Sequence, residues 1–160
     1  GSTFAITAQD DIRDWAVQIV TDLGGIPFFV EDVNKPLYHA AACVASNYLV
    51  SLMHIVTSLY EILGLPANEA TQAFWPLVRG TLTNMESRGI DKALTGPIAR
   101  GDVLTIEKHL AVLEAKAPEF LALYRELGLV TVGIARNMET ISEEKKDELE
   151  SLLKGEGNHE

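Results

Sequence analysis

The sequence predicts a mainly α-helical fold opened by one short strand–helix–strand unit. Apolar residues recur at helical spacing from residue 34 onward. Two brief strand-like runs bracket an amphipathic helix within the first thirty residues. The punctuation between the later segments is that of helix starts and stops, with proline after a polar residue and glycine at the ends.

Phe4 to Thr7 has strand character. Asp10 or Asp11 is placed to cap a helix whose inward face carries Ile12, Trp15, Ala16, Ile19, Val20 and Leu23, and Gly24-Gly25 ends it. Ile26 to Val30 reads as a buried strand, so the opening is the repeating unit of a parallel sheet. One such unit cannot cover both faces of a sheet. Asn34 or Lys35 with Pro36 then starts a helix whose apolar pattern runs unbroken to Leu63, roughly 40 Å at about 1.5 Å per residue. A second long helix spans about Ala67 to Glu86, with Pro76 bending it. Asp102 caps a third, which turns Val103, Ile106, Leu110 and Leu113 inward and stops before Pro118. The fourth begins at Glu119 and reaches Leu127 or continues past Gly128 to Asn137. Ser142 caps the last, with Glu143 and Glu144 in its first turn and Lys154 in its final turn, as the helix dipole favours. From Gly155 the end is expected to fray.

The 160 residues carry a net charge of −10, and the sequence pI is about 4.8. That balance argues against nucleic-acid or anionic-membrane partners, which need basic patches. Eight acids against three lysines lie between Glu139 and Glu160, a pattern that fits a solvated helix face better than an acidic interaction tail. The single cysteine, Cys43, excludes an intrachain disulfide and suits a reducing, cytoplasmic setting. No signal peptide is expected. Leu37 to Leu63 is long enough to span a bilayer, but His39, Ser46, Asn47, Ser51, His54 and Glu61 interrupt it. The expectation is therefore a buried helix in a soluble protein.

On that helix the polar residues need an explanation. At about 100° per residue, His39, Ser46, Thr57, Cys43, Glu61, His54 and Asn47 share a stripe roughly 100° wide, and Lys35 projects to the same side. A buried helix with one polar stripe lines a wet cleft or a polar interface. Taken singly, His39 as a satisfied core histidine outweighs His39 as acid or ligand; the clustering brings the functional reading level with the bland one. His39 and Cys43 stand one turn apart, but two ligands do not make a metal site, so none is expected. The second feature is the loop from Thr95 to Asp102. Gly96, Pro97 and Gly101 shape it, Arg100 offers a fixed positive charge for a carboxylate or phosphate, and a helix starts at its end. Its ordinary reading is an interhelix connection with a structural arginine. No G-x-G-x-x-G follows a strand, and no phosphate-loop pattern, Ser-His-Asp order or zinc spacing stands out.

Three stretches carry a resemblance: Lys35-Pro36-Leu37-Tyr38-His39 with Ala45-Ser46-Asn47-Tyr48-Leu49; Pro76-Leu77-Val78 with Thr81, Leu82 and Asn84; and Leu94-Thr95-Gly96-Pro97-Ile98-Ala99-Arg100-Gly101-Asp102. Together they resemble the C-terminal domain of a family of Rossmann-like oxidoreductases, catalogued as domain of unknown function 2520. The likeness extends to about Leu127 and weakens after Ile134. It implies a helical domain similar to the C-terminal domain of 6-phosphogluconate dehydrogenase, with a long central helix. Residues 1–33 would then be the last strand–helix–strand of a nucleotide-binding domain, and residues 34–160 a substrate-binding and dimerisation domain.

The resemblance implies NADP or NAD as cofactor of a longer protein, bound by a domain whose fingerprint these residues lack, so no cofactor is expected on this chain alone. A small-molecule substrate would meet Lys35 or His39 as proton donor, with Ser46, Asn47, Thr95 and Arg100 as binding residues. A homodimer is expected as well, because Phe74 to Leu82 and Leu121 to Ile134 carry apolar residues on more than one face. The competing reading is a non-catalytic ligand-binding or assembly module in which the polar stripe is an interface.

Overall fold

The computed structural model describes residues 2–156. It is mainly α-helical and opens on a two-stranded parallel sheet, the fold class expected. Two compact units are present, Gly1–His54 and Ile55–Glu160, and the division falls within a helix.

The first unit begins with β1 (Thr3–Ile6), a short 3-10 turn over Asp10–Ile12, α1 (Arg13–Asp22) and β2 (Ile26–Phe29). The strands pair in parallel, with Thr3 opposite Ile26 and Ile6 opposite Phe29. α1 makes the crossover that parallel pairing requires. Neither Asp10 nor Asp11 caps it: both lie in the 3-10 turn, and no side chain bonds the first amides of α1. Its expected inward face is largely uncovered. Val20 is buried, but Trp15 is 67% exposed and Leu23 71%. A lone β-α-β unit has too little surface of its own to cover the helix on both sides.

After a 3-10 turn over Asp32–Asn34, α2 (Lys35–Ala45) takes Pro36 in its first turn. α3 (Asn47–Ile62) follows at once. The expected unbroken helix is thus interrupted at Ser46, whose backbone sits at φ −115°, ψ −67°. Hydrogen bonds from Ser46 N to Ala42 O (3.0 Å) and from Val50 N to Ser46 O (3.3 Å) carry the helical direction across. Ser46 and Asn47 are adjacent weak helix formers, the place in this run where the regular pattern costs least to break. Contrary to the expectation of a buried helix, no residue of α2 or α3 is buried. Leu37 is 74% exposed and Val50 69%. By length and composition alone, Asp32–Ile62 is apolar enough to cross a membrane.

In the second unit, α4 (Ala67–Arg88) contains Pro76 without being divided by it. Ala70 and Phe74 are its buried residues, and the Phe74 ring lies 6.0 Å from that of Tyr60 at the end of α3. The main core is built by α5 (Val103–Lys116), α6 (Pro118–Asn137) and α7 (Glu143–Lys154). All four residues expected inward on α5 are buried, Val103, Ile106 and Leu110 of them in this core, and Ile106, Val132, Leu149 and Leu153 are almost completely enclosed. α6 runs through Gly128 to Asn137, the longer of the two expected extents.

Gly128 is there for contact. A Cβ at that position would stand 2.7 Å from Leu153 Cδ2, so the bare backbone lets α7 lie directly on α6. Ser142 caps α7 as expected, accepting from Lys145 N at 3.2 Å. At the other end Gly155 N and Glu156 N bond back to Leu152 and Ser151, and Arg125 Nη1 donates to the carbonyls of Leu152 and Leu153. Gly155 and Glu156 therefore close the helix rather than fray from it; the rest of the expected frayed end, residues 157–160, lies outside the described residues. The acidic segment is the solvated face expected. Glu143, Glu148 and Glu150 pair with Arg136, Lys145, Lys146 and Lys154, while Leu149 and Leu153 turn inward.

Two substitutions test this packing. Gly128→Val forces Leu153 off its seat and is expected to cost about 1–3 kcal/mol. Leu149→Ala leaves a cavity and is expected to cost about 2–5 kcal/mol. Urea unfolding measures both; a loss under about 0.5 kcal/mol, the range of ordinary surface changes, contradicts the assigned core.

Candidate functional site

In the first unit the residues of the polar stripe are at the surface. Lys35 lies in the first turn of α2 and pairs with Asp32, Nζ to Oδ1 2.7 Å, three residues back. His39 follows one turn later, and its Nε2 is 3.6 Å from the Cys43 thiol. Lys35, His39 and Cys43 therefore form one row along α2. Ser46 occupies the interruption and Asn47 opens α3, both exposed. The Asn47 carbonyl accepts from the Ser51 hydroxyl at 3.3 Å. Because the helix is exposed, its polar residues do not demand a buried partner. What stays is their order along the helix. Among the described residues, no three His, Cys, Asp or Glu side chains gather as a metal-binding group.

A shallow groove of about 490 Å³ lies on another face of α2, at the carboxyl end of β2. Phe28, Glu31, Asn34, Leu37 and Tyr38 line it, and Phe28 meets Tyr38 edge-to-face at 5.6 Å. On α2, Leu37 and Ala41 lie roughly opposite His39, with Tyr38 about a quarter-turn from it. The sequence reading followed the polar stripe and passed over this side. The signal available was positional: in parallel sheets, ligands collect beyond the carboxyl ends of the strands.

In the second unit Thr95 and Arg100 lie on the loop between α4 and α5, both exposed. Ile98 pins this loop by entering the main core, and Leu94 packs against the same cluster. A 3-10 turn over Ile98–Arg100 is closed by Arg100 N and Asp102 N, both bonding Pro97 O. Gly101 takes φ +66°, a left-handed conformation that glycine adopts without cost, and its Cα faces the aliphatic stem of Lys145. Among the described residues no ion pair holds the Arg100 guanidinium, so it presents an open positive charge. The start of α5 beside it is less available than the sequence suggested. Asp102 already accepts from Thr105 N (3.1 Å) and Thr105 Oγ1 (2.7 Å). Those two bonds hold the Asp102 carboxyl below the usual carboxylate range, with Arg100 and Lys108 adding to the effect.

The sequence reading also passed over a pair joining α5 to α6. His109 Nδ1 and Tyr124 Oη are 2.7 Å apart, with the rings edge-to-face at 6.0 Å. Burial pushes the Tyr124 hydroxyl pKa up, so the phenol stays neutral. His109 is three residues after Ile106 and four before Leu113, which puts it on the inward face of α5; that spacing was the available signal.

The elements define a class first: a mainly helical domain with a short parallel β-α-β unit at its start. Within that class, the profile of a family described as a domain of unknown function (DUF2520) matches residues 2–131, and the chain belongs to this family. The match includes β1, α1 and β2 and stops within α6, leaving α7 outside. No curated protein and no solved structure matches the chain at a significant level.

The capping role of Asp102 has a pH signature. A carboxyl held low in the folded state stabilises above the ordinary carboxylate range, and the contribution is lost as pH falls through the lower folded value. Asp102→Ala is therefore expected to lower the melting temperature near pH 7, with the gap to the parent chain narrowing at about pH 2. A gap that is equal at both values contradicts an ionised cap.

Proposed function

We propose that this chain is the substrate-binding and dimerisation part of an NAD(P)-dependent oxidoreductase acting on a small molecule in the cytoplasm. The observation that carries the reading is the parallel β1-α1-β2 unit followed at once by the polar-rowed α2. A parallel pair of strands is rarely a complete sheet, because such sheets are covered on both faces. The resemblance carried by the three quoted motifs supports the same reading. It also includes a fold like the C-terminal domain of 6-phosphogluconate dehydrogenase, with residues 1–33 completing a nucleotide-binding domain and residues 34–160 forming the helical one.

Lys35 or His39 would give a proton to a carbonyl or imine of the substrate, and a nicotinamide cofactor, when bound, would supply the hydride. Ser46 and Asn47 would orient the substrate, and Thr95 and Arg100 are offered separately on the second unit, Arg100 as a charge for an anionic group. The exposure of α2 and α3 favours a second reading, a non-catalytic assembly module. In that case the same residues meet another protein surface and no hydride chemistry takes place.

Dimerisation has its support in the exposed apolar residues. Trp75, Leu77 and Leu82 on α4 are exposed, as are Leu123, Leu127 and Val130 on α6. Patches of this kind mark partner surfaces, and most soluble oligomers are two-fold pairs.

Two measurements test these statements. Without a glycine-rich phosphate turn after a strand, the chain alone is expected to show no binding of NADPH or NADH in calorimetry; micromolar binding overturns the division of labour proposed here. Light scattering in detergent-free buffer is expected to give about twice the 17.5 kDa chain mass. A mass of one chain rejects the dimer, and recovery only with detergent or on lipid vesicles rejects the soluble reading.

A further inference from the structure

The second unit contains a cavity of about 260 Å³ between the end of α3, the later half of α5 and the first turns of α6. It involves none of the residues proposed above for the substrate. Leu59 and Ile62 form one wall, and Val112 and Leu113 another. The polar residues His109 and Tyr124 also border it, but each is the other's hydrogen-bond partner at 2.7 Å. Among the described residues no buried side-chain nitrogen or oxygen lacks a partner. The walls therefore ask for carbon, since a polar ligand group placed against them would lose its water without recovering a hydrogen bond.

One feature sets a direction within this apolar space. Lys116, in the last turn of α5, lines the cavity and is itself exposed. Among the described residues no ion pair holds it, although the chain carries 23 acids against 13 lysines and arginines. A lysine with an exposed ammonium and an aliphatic stem along an apolar wall suits a ligand that is carbon at one end and anionic at the other.

We propose that this cavity binds a small amphipathic carboxylate, with its hydrocarbon body between α3, α5 and α6 and its carboxylate at Lys116. The volume fixes the scale. An apolar cavity of about 150 Å³ accepts benzene, so the space here takes a body of roughly eight carbons. A longer chain runs out into solvent past Val112, which is half-exposed at the rim. The His109–Tyr124 bond keeps both polar groups turned to each other, and the neutral Tyr124 phenol adds no charge to repel the ligand.

The test is an amide-resolved NMR titration of the whole chain with sodium octanoate, run beside 1-octanol as the uncharged match. Expected are saturable shifts concentrated at Leu59–Leu63, His109–Ala117 and Tyr124, with octanoate tighter by about two- to five-fold, the range of an exposed ion pair. Lys116→Ala is expected to abolish that preference while leaving octanol binding in place. Val112→Trp is expected to fill the rim and remove both ligands, with circular dichroism confirming that the fold is kept. Equal affinity for the two ligands overturns the carboxylate assignment. Shifts spread over α1 and α2 instead overturn the site. Light scattering in the same samples separates the remaining occupant: if octanoate converts a dimer to single chains, the cavity belongs to a second copy and the small-molecule proposal fails. None of these outcomes depends on whether the chain serves an oxidoreductase.

Discussion

The second unit depends on the close approach of α7 to α6 at Gly128. Leu153 rests where a side chain would otherwise stand, and that contact sets the spacing of the two helices. With the spacing fixed, Leu149 and Leu153 reach Ile106 and Val132, and one core closes over three helices. The Arg125 guanidinium then satisfies the last carbonyls of α7, groups that a helix end otherwise leaves open. The loop bearing Thr95 and Arg100 is held by the same core through Ile98. So is α5, whose outer end shapes the cavity. The family match stops within α6, yet the helix beyond it supplies two of the four largest fully buried side chains.

The first unit lacks any comparable constraint. Its sheet has two strands, and each has an edge with no pairing partner among the described residues. An uncovered edge and an uncovered helix are liabilities that proteins normally hide. The buried residues of this unit are few, Ile6 and Val20 among them, whereas Trp15, Leu23, Leu37 and Val50 face solvent. Each exposed Leu- or Val-sized side chain forgoes about 1.5–3 kcal/mol relative to full burial. The two units therefore differ in kind: one carries its own core, and the other leaves most of its large apolar side chains uncovered.

Much of the fold was legible in the sequence because its signals are local. The α5 face of Val103, Ile106, Leu110 and Leu113, the caps at Asp102 and Ser142, and the parallel opening of β1 and β2 all follow from spacing and capping chemistry within a few residues. Two expectations about α2 and α3 failed for reasons of another kind. The continuity of α2 and α3 was read from hydropathy, which does not register the weak helix formers Ser46 and Asn47 at the junction. Their burial was read from composition, yet composition reports what a surface needs and not what supplies it. The candidate site was legible only in part. Lys35, His39 and Cys43 do form a row, and Arg100 does stand open, but the His109–Tyr124 bond joins residues fifteen apart in sequence, which periodicity along one helix does not pair.

Exposure also changes how the polar row on α2 is to be weighed. On a buried helix, His39, Ser46 and Asn47 would each need a bonded partner, and a cleft would follow from burial alone. On an exposed helix they are solvated at no cost, and apolar neighbours such as Leu37 and Val44 become the residues out of place. A surface that mixes both is suited to be covered by something that is itself mixed. A lipid bilayer core satisfies Leu37 and Val44 but not the polar row. A protein face carries apolar and polar groups together and so has groups for both. The same reasoning fits the part-buried Asp102 cap and His109–Tyr124 pair, which lie in the unit that has its own core. Each of these two groups already has its partner there.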